Sequence, residues 1–63
     1  MTNKPGSNAV PIYTNEAIED LNPIYDRLVK EGIDPKDAIP KASIEKFGYE
    51  KYIFIENQWH RLE

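Results

Sequence analysis

Apolar residues in the first half of the chain recur at helical spacing. Ile18, Leu21, Tyr25 and Leu28 follow at steps of three, four and three, and Ala17, Ile24 and Val29 widen the same stripe. This period predicts an amphipathic helix with one buried face. Thr14 or Asn15 supplies its N-cap, and Glu16 and Glu19 put negative charge where the helix dipole favours it. Pro23 interrupts the stripe. Asn22 is a capping residue and proline suits the first helical position, so the pair predicts either a kink or a new helix over Pro23 to Glu31. Gly32 then offers the left-handed residue that closes a helix, and Ile33 the apolar contact that accompanies it.

Beyond this point the pattern shortens. Asp34-Pro35 repeats the cap-then-proline device, but Pro40 leaves room for about one turn. Lys41 to Phe47 is predicted as a short second helix, stopped by Gly48, with Ala42, Ile44 and Phe47 turned inward. A helix this short is held only by packing. Lys51 to Ile55 is aromatic and β-branched, as strands are, and Glu56-Asn57 fits a two-residue turn into Gln58 to Leu62. Glu56 suits the first position of a type I′ turn poorly, which leaves a longer, bulged loop as the alternative.

Upstream, Val10 to Tyr13 is rich in strand formers but contains Pro11, which confines it to an edge strand or an extended lead-in. Met1 to Ala9 is polar and without period, and reads as a flexible tail. The expected organisation is therefore a tail over residues 1–9 and one α+β mini-domain over 10–63. That domain comprises an extended N-terminal segment, a broken amphipathic helix, a short second helix and a C-terminal β-hairpin.

Composition narrows the chemistry. A chain of 63 residues builds one core of modest stability, and without cysteine it has no disulfide to brace it. His60 is the single imidazole, so a closed zinc site would need mostly carboxylate ligands, and no metal or cofactor is expected. No apolar run approaches the roughly 20 residues that cross a bilayer, and no secretory leader pattern is present, so the expected location is cytoplasmic. The net charge is −3, and the excess lies within residues 1–26, where Lys4 faces Glu16, Glu19, Asp20 and Asp26. Broad attraction to nucleic acid is not expected of such a chain.

Catalytic constellations are thin. Ser43 and His60 could meet in space, but a serine early in a short helix is far more often a cap or surface residue, and Gly6, Gly32 and Gly48 are isolated rather than gathered in a phosphate loop. The chain is expected not to be an enzyme. The hairpin carries more information. A two-residue turn would pair Ile55 with Gln58, Phe54 with Trp59, Ile53 with His60 and Tyr52 with Arg61, sorting the side chains onto two unlike faces. Helices need cover only one of them. The aliphatic face matches the helical stripe, leaving Tyr52, Phe54, Trp59 and Arg61 as a candidate partner-binding patch, with Glu16, Glu19 and Asp20 as an acidic second contact.

The function this implies is a non-catalytic protein-binding module, a small inhibitor or adaptor of a larger enzyme of the kind phages and mobile elements use. An alternative is a winged-helix-like nucleic-acid-binding domain, with the helix at Lys41 to Phe47 reading DNA and Lys36, Lys41, Lys46, Lys51 and Arg61 on phosphate. A third is a homo-oligomer that uses its exposed patch on itself.

Overall fold

The computed structural model describes residues 8–63. The expected tail lies outside the described residues except for Asn8 and Ala9, and Ala9 already belongs to a strand. The elements in chain order are β1 (Ala9–Pro11), α1 (Thr14–Leu21), α2 (Ile24–Lys30), α3 (Pro35–Phe47), β2 (Tyr52–Ile55) and β3 (Gln58–Leu62). The fold is α+β, with three helices and one antiparallel sheet of order β1-β3-β2, and the β2-β3 hairpin lies at the C-terminus. Proline-bearing β1 sits at the sheet edge, where a missing N–H costs the ladder least.

The helix break falls where the sequence pattern places it. α1 ends at Leu21, and Asn22 takes up an extended conformation before a cis peptide bond to Pro23. α2 starts one residue later than expected, at Ile24, and the Asn22 carboxamide oxygen accepts from the Asp26 N–H at 3.1 Å. The N-cap of α1 is Tyr13 rather than Thr14 or Asn15, with no side-chain cap. Tyr13 still holds the extended backbone that leads out of β1, so it is the last non-helical residue. α2 closes as a Schellman motif: Gly32, at φ 97°, donates to the Val29 carbonyl and Ile33 donates to that of Leu28.

α3 departs from expectation. It runs unbroken from Pro35 to Phe47 through Pro40 instead of splitting into a turn and a short helix. An internal proline removes one backbone bond and costs about 3 kcal/mol. Here it is flanked on both sides by buried residues, Ala38 and Ile39 before it and Ala42 and Ser43 after it, so core packing holds the helix across the defect. The Asp34 carboxylate caps the start, accepting from the Lys36 N–H at 2.9 Å. Ile44, expected inside, is exposed, because it lies two residues from Ala42 and therefore points to the far side of the helix.

The hairpin register matches the predicted pairs at every position. Glu56 and Asn57 both have positive φ, 52° and 64°, which gives the type I′ turn despite the non-glycine first residue. The faces, however, are reversed. Tyr52 (1 % exposed) and Trp59 (7 %) join Ile12, Ala17, Leu21, Leu28, Ala38, Ile39 and Ala42 in the core, so the ring-bearing face meets the helices. Ile53, Ile55, His60 and Leu62 occupy the opposite face by alternation. Small helix residues decide this: Ala17, Ala38, Ala42 and Ser43 are fully buried and leave depth that large rings fill better than aliphatic side chains do.

Candidate functional site

The sequence-derived patch divides once the faces are known. Tyr52 and Trp59 are core residues and present almost no surface to a partner. Arg61 is occupied by carboxylates, donating to Glu16 and, at 2.6 Å, to Glu63. Phe54, at the turn end of β2, stays 40 % exposed while its ring leans on Trp59 with centroids 5.1 Å apart. Lys36 Nζ stands 4.7 Å from the centre of the Phe54 ring.

The acidic residues of α1 divide as well. Glu19 is exposed and Glu16 is tied to Arg61, whereas Asp20 is drawn into a cluster that joins three elements. The Tyr52 hydroxyl donates to Asp20 Oδ2 at 2.5 Å, Lys51 Nζ stands 3.3 Å from the same oxygen, and Lys46 donates to both the Asp20 carbonyl and carboxylate. The bond from Tyr52 is the main reason the Asp20 carboxyl titrates below its ordinary value of 3.8, with Lys46 and Lys51 adding to it against the cost of burial. Burial and the facing Asp20 carboxylate push the Tyr52 phenol well above its ordinary value near 10. The cluster pins α1 and α3 to β2.

Ser43 is another internal tie. Its buried hydroxyl donates to the Tyr49 carbonyl and accepts from the Lys51 N–H, both at 2.7 Å, which fastens the α3-β2 loop. His60 lies on the outer sheet face, with Nδ1 3.0 Å from the Gln58 carbonyl, so the fold does not bring Ser43 and His60 together. Among the described residues no group of three or more metal-binding side chains gathers, and no helix is long and apolar enough to cross a membrane.

What the fold assembles instead is a groove beside the hairpin turn. It has a volume of about 250 Å³ and is lined by Ile12, Tyr13, Thr14, Phe54, Asn57, Gln58 and Trp59. Tyr13 is the residue that sequence reasoning missed. It is 87 % exposed, because β1 ends just before it and α1 begins just after it. The available signal was its place at a junction between extended and helical segments, where alternation no longer fixes which way a side chain points. Among the described residues that line this groove none carries a carboxylate, ammonium or guanidinium, although the Lys36 ammonium stands against its Phe54 ring. At this volume it falls below the roughly 300–1,000 Å³ of pockets that enclose a cofactor or drug-sized ligand.

In chain order, α2, the four residues Glu31 to Asp34 with Gly32 among them, and α3 are followed by the β2-β3 hairpin. The chain matches no family model, no curated protein and no solved structure.

Proposed function

We propose that the chain is a non-catalytic protein-binding module, a small inhibitor or adaptor, which meets a larger protein through the groove at the hairpin turn. The observation that carries this reading is the pair of accessible rings on that groove, Tyr13 at 87 % and Phe54 at 40 % exposure. A domain this small has few aromatic residues to spare from its core, and aromatic side chains are enriched where binding energy concentrates. The test is affinity capture with the wild type and with Tyr13→Ser and Phe54→Ser. Because Tyr13 packs on so little, its replacement should leave the fold within about 0.5 kcal/mol of wild type. Capture should fall with each change, with circular dichroism unchanged in Tyr13→Ser, and undiminished capture by both variants would overturn the reading.

The order α2, α3 and hairpin favours a second reading, nucleic-acid binding through α3. Charge weighs against it. Of the five cations that would face phosphate, Lys46 and Lys51 are paired with Asp20, and Arg61 with Glu16 and Glu63. The hairpin carries Glu56 at its tip, and the chain is net negative. Titration of labelled duplex DNA at low salt is expected to leave its anisotropy unchanged, and a saturable rise would reinstate this reading.

A further inference from the structure

The two edges of the sheet differ. β1 is blunted by Pro11, whereas Tyr52 to Ile55 at the opposite edge contains no proline, no charge and no bulge. Two bonds show which peptide groups β2 presents. The Leu62 N–H donates to the Lys51 carbonyl, and the Trp59 carbonyl accepts from the Ile12 N–H on the opposite side of β3. Bonded and non-bonded pairs alternate along an antiparallel ladder, so Phe54 and Trp59 form a non-hydrogen-bonded pair, and the N–H and C=O of Phe54 point away from β3. Among the described residues no loop or helix backbone group bonds to them. Tyr52 is sealed at 1 % exposure, so the open stretch of this edge is Ile53 to Ile55.

The side chains of that stretch select its neighbour. Phe54 and Ile55 point to opposite faces of the sheet, yet they are 40 % and 39 % exposed, because neither has a strand beside it on the flank. A strand that covers both must carry aliphatic residues on the outer face, a ring on the helix-covered face, and peptide groups in register with those of Phe54. A second β2, turned antiparallel about Phe54, meets all three conditions. The N–H and C=O of Phe54 then exchange two hydrogen bonds with those of its copy, and Ile53 of each chain faces Ile55 of the other on the outer face. Ile53-Phe54-Ile55 is uncharged, so like strands do not repel there. Pairing with β3 already holds it extended, whereas a loose peptide would lose entropy on ordering. We infer that the chain self-associates through the β2 edge as a two-fold dimer centred on Phe54, with three strands from each copy in one continuous sheet. The contact is weak. Three paired residues bury far less than the roughly 800 Å² per partner of a stable complex. The Lys36 ammonium, 4.7 Å from the centre of the Phe54 ring, also works against pairing, as lysines at sheet edges do.

The test compares the full chain at about 20 μM and about 1 mM. Salt of about 0.5 M screens the repulsion between two chains of net charge −3. Sedimentation should find a monomer at the lower concentration and an average mass rising toward twice that value at the higher. Hydrogen exchange at the Phe54 amide should slow at least threefold over the same range, because that N–H is bonded only in the dimer. Ile55→Lys changes an exposed residue outside the core, and should stay folded and monomeric at both concentrations. Single thiols check the register, since the sequence contains no cysteine. Opposed residues in a non-hydrogen-bonded pair have Cα atoms about 4.5 Å apart, within reach of a disulfide. Under mild oxidation at about 1 mM, Ile53→Cys and Ile55→Cys chains should therefore cross-link to each other at least fivefold faster than either does to itself. A chain that stays monomeric at about 1 mM, leaving the edge to a strand of another protein, would overturn the inference. So would a dimer that survives Ile55→Lys, or equal cross-linking in every combination. None of these results bears on the protein-binding reading, which is tested separately through Tyr13.

Discussion

Trp59→Ala is expected to leave the chain largely unfolded at 25 °C. Trp59 is 7 % exposed, packs against Phe54, and sits in the central strand of the sheet, where its carbonyl also accepts from the Ile12 N–H at 3.0 Å. Truncating a buried tryptophan costs about 3–5 kcal/mol, from lost burial and from the cavity left behind. A core in a domain this small supplies about 3–5 kcal/mol in total, so the loss is comparable to the whole stability. Far-UV circular dichroism and urea titration would measure it. Trp59→Phe keeps a ring in the same space and should retain a cooperative transition at a lower midpoint. If Trp59→Ala instead shows a urea midpoint close to wild type, Trp59 does not occupy the core and the ring-bearing face of the sheet is not the one the helices cover. For the same reason, lost partner capture in a Trp59→Ala variant would report unfolding rather than a broken contact.

Much of this fold is legible in the sequence because local signals agree with one another. Asn22-Pro23, Gly32, Asp34-Pro35 and Gly48 each mark a helix end through chemistry that acts within a few residues, and each stands at or beside an observed boundary. The hairpin register is legible because a two-residue turn fixes every pair after it. Two features are not local. Continuity through Pro40 depends on what Ala38, Ile39, Ala42 and Ser43 pack against, which no window around the proline reveals. The buried face of the hairpin depends on the depth left by alanines on separate helices; Ala17, Ala38 and Ala42 are the signal that large rings lie opposite, and an apolar stripe read by size alone gives them too little weight. The candidate site inherits that error. Phe54 remains in it, Tyr52 and Trp59 move inside, and Tyr13 enters because a junction residue obeys neither periodicity.

The Asp20 cluster gives stability a dependence on pH at both extremes. Asp20→Asn and Tyr52→Phe should each cost about 2 kcal/mol at neutral pH, the scale of a hydrogen bond to a charged group. The two costs should add to less than their sum in the double variant, because both remove the same 2.5 Å contact. The acid limb follows from Asp20, whose folded-state pKa is depressed below 3.8 by the Tyr52 hydroxyl first, then by Lys46 and Lys51. Its contribution is therefore fully present above the unfolded value and is lost as pH falls through the lower folded one. The gap between wild type and Asp20→Asn should narrow steadily once the solution is more acidic than about pH 4. The alkaline limb follows from Tyr52, whose folded-state pKa is raised by burial and by Asp20. Its contribution is present below about pH 10 and is lost as pH rises through the higher folded value, so the gap to Tyr52→Phe should close in that window. In Tyr52→Phe the carboxylate loses its main stabilising donor, and the Asp20 pKa should move back toward 3.8, shrinking the acid limb as well. Urea midpoints across the pH range for wild type and both variants would measure these limbs. Parallel curves for all three proteins would show that the hydroxyl and the carboxylate do not hold each other in solution, and that α1 is fastened to β2 by packing alone.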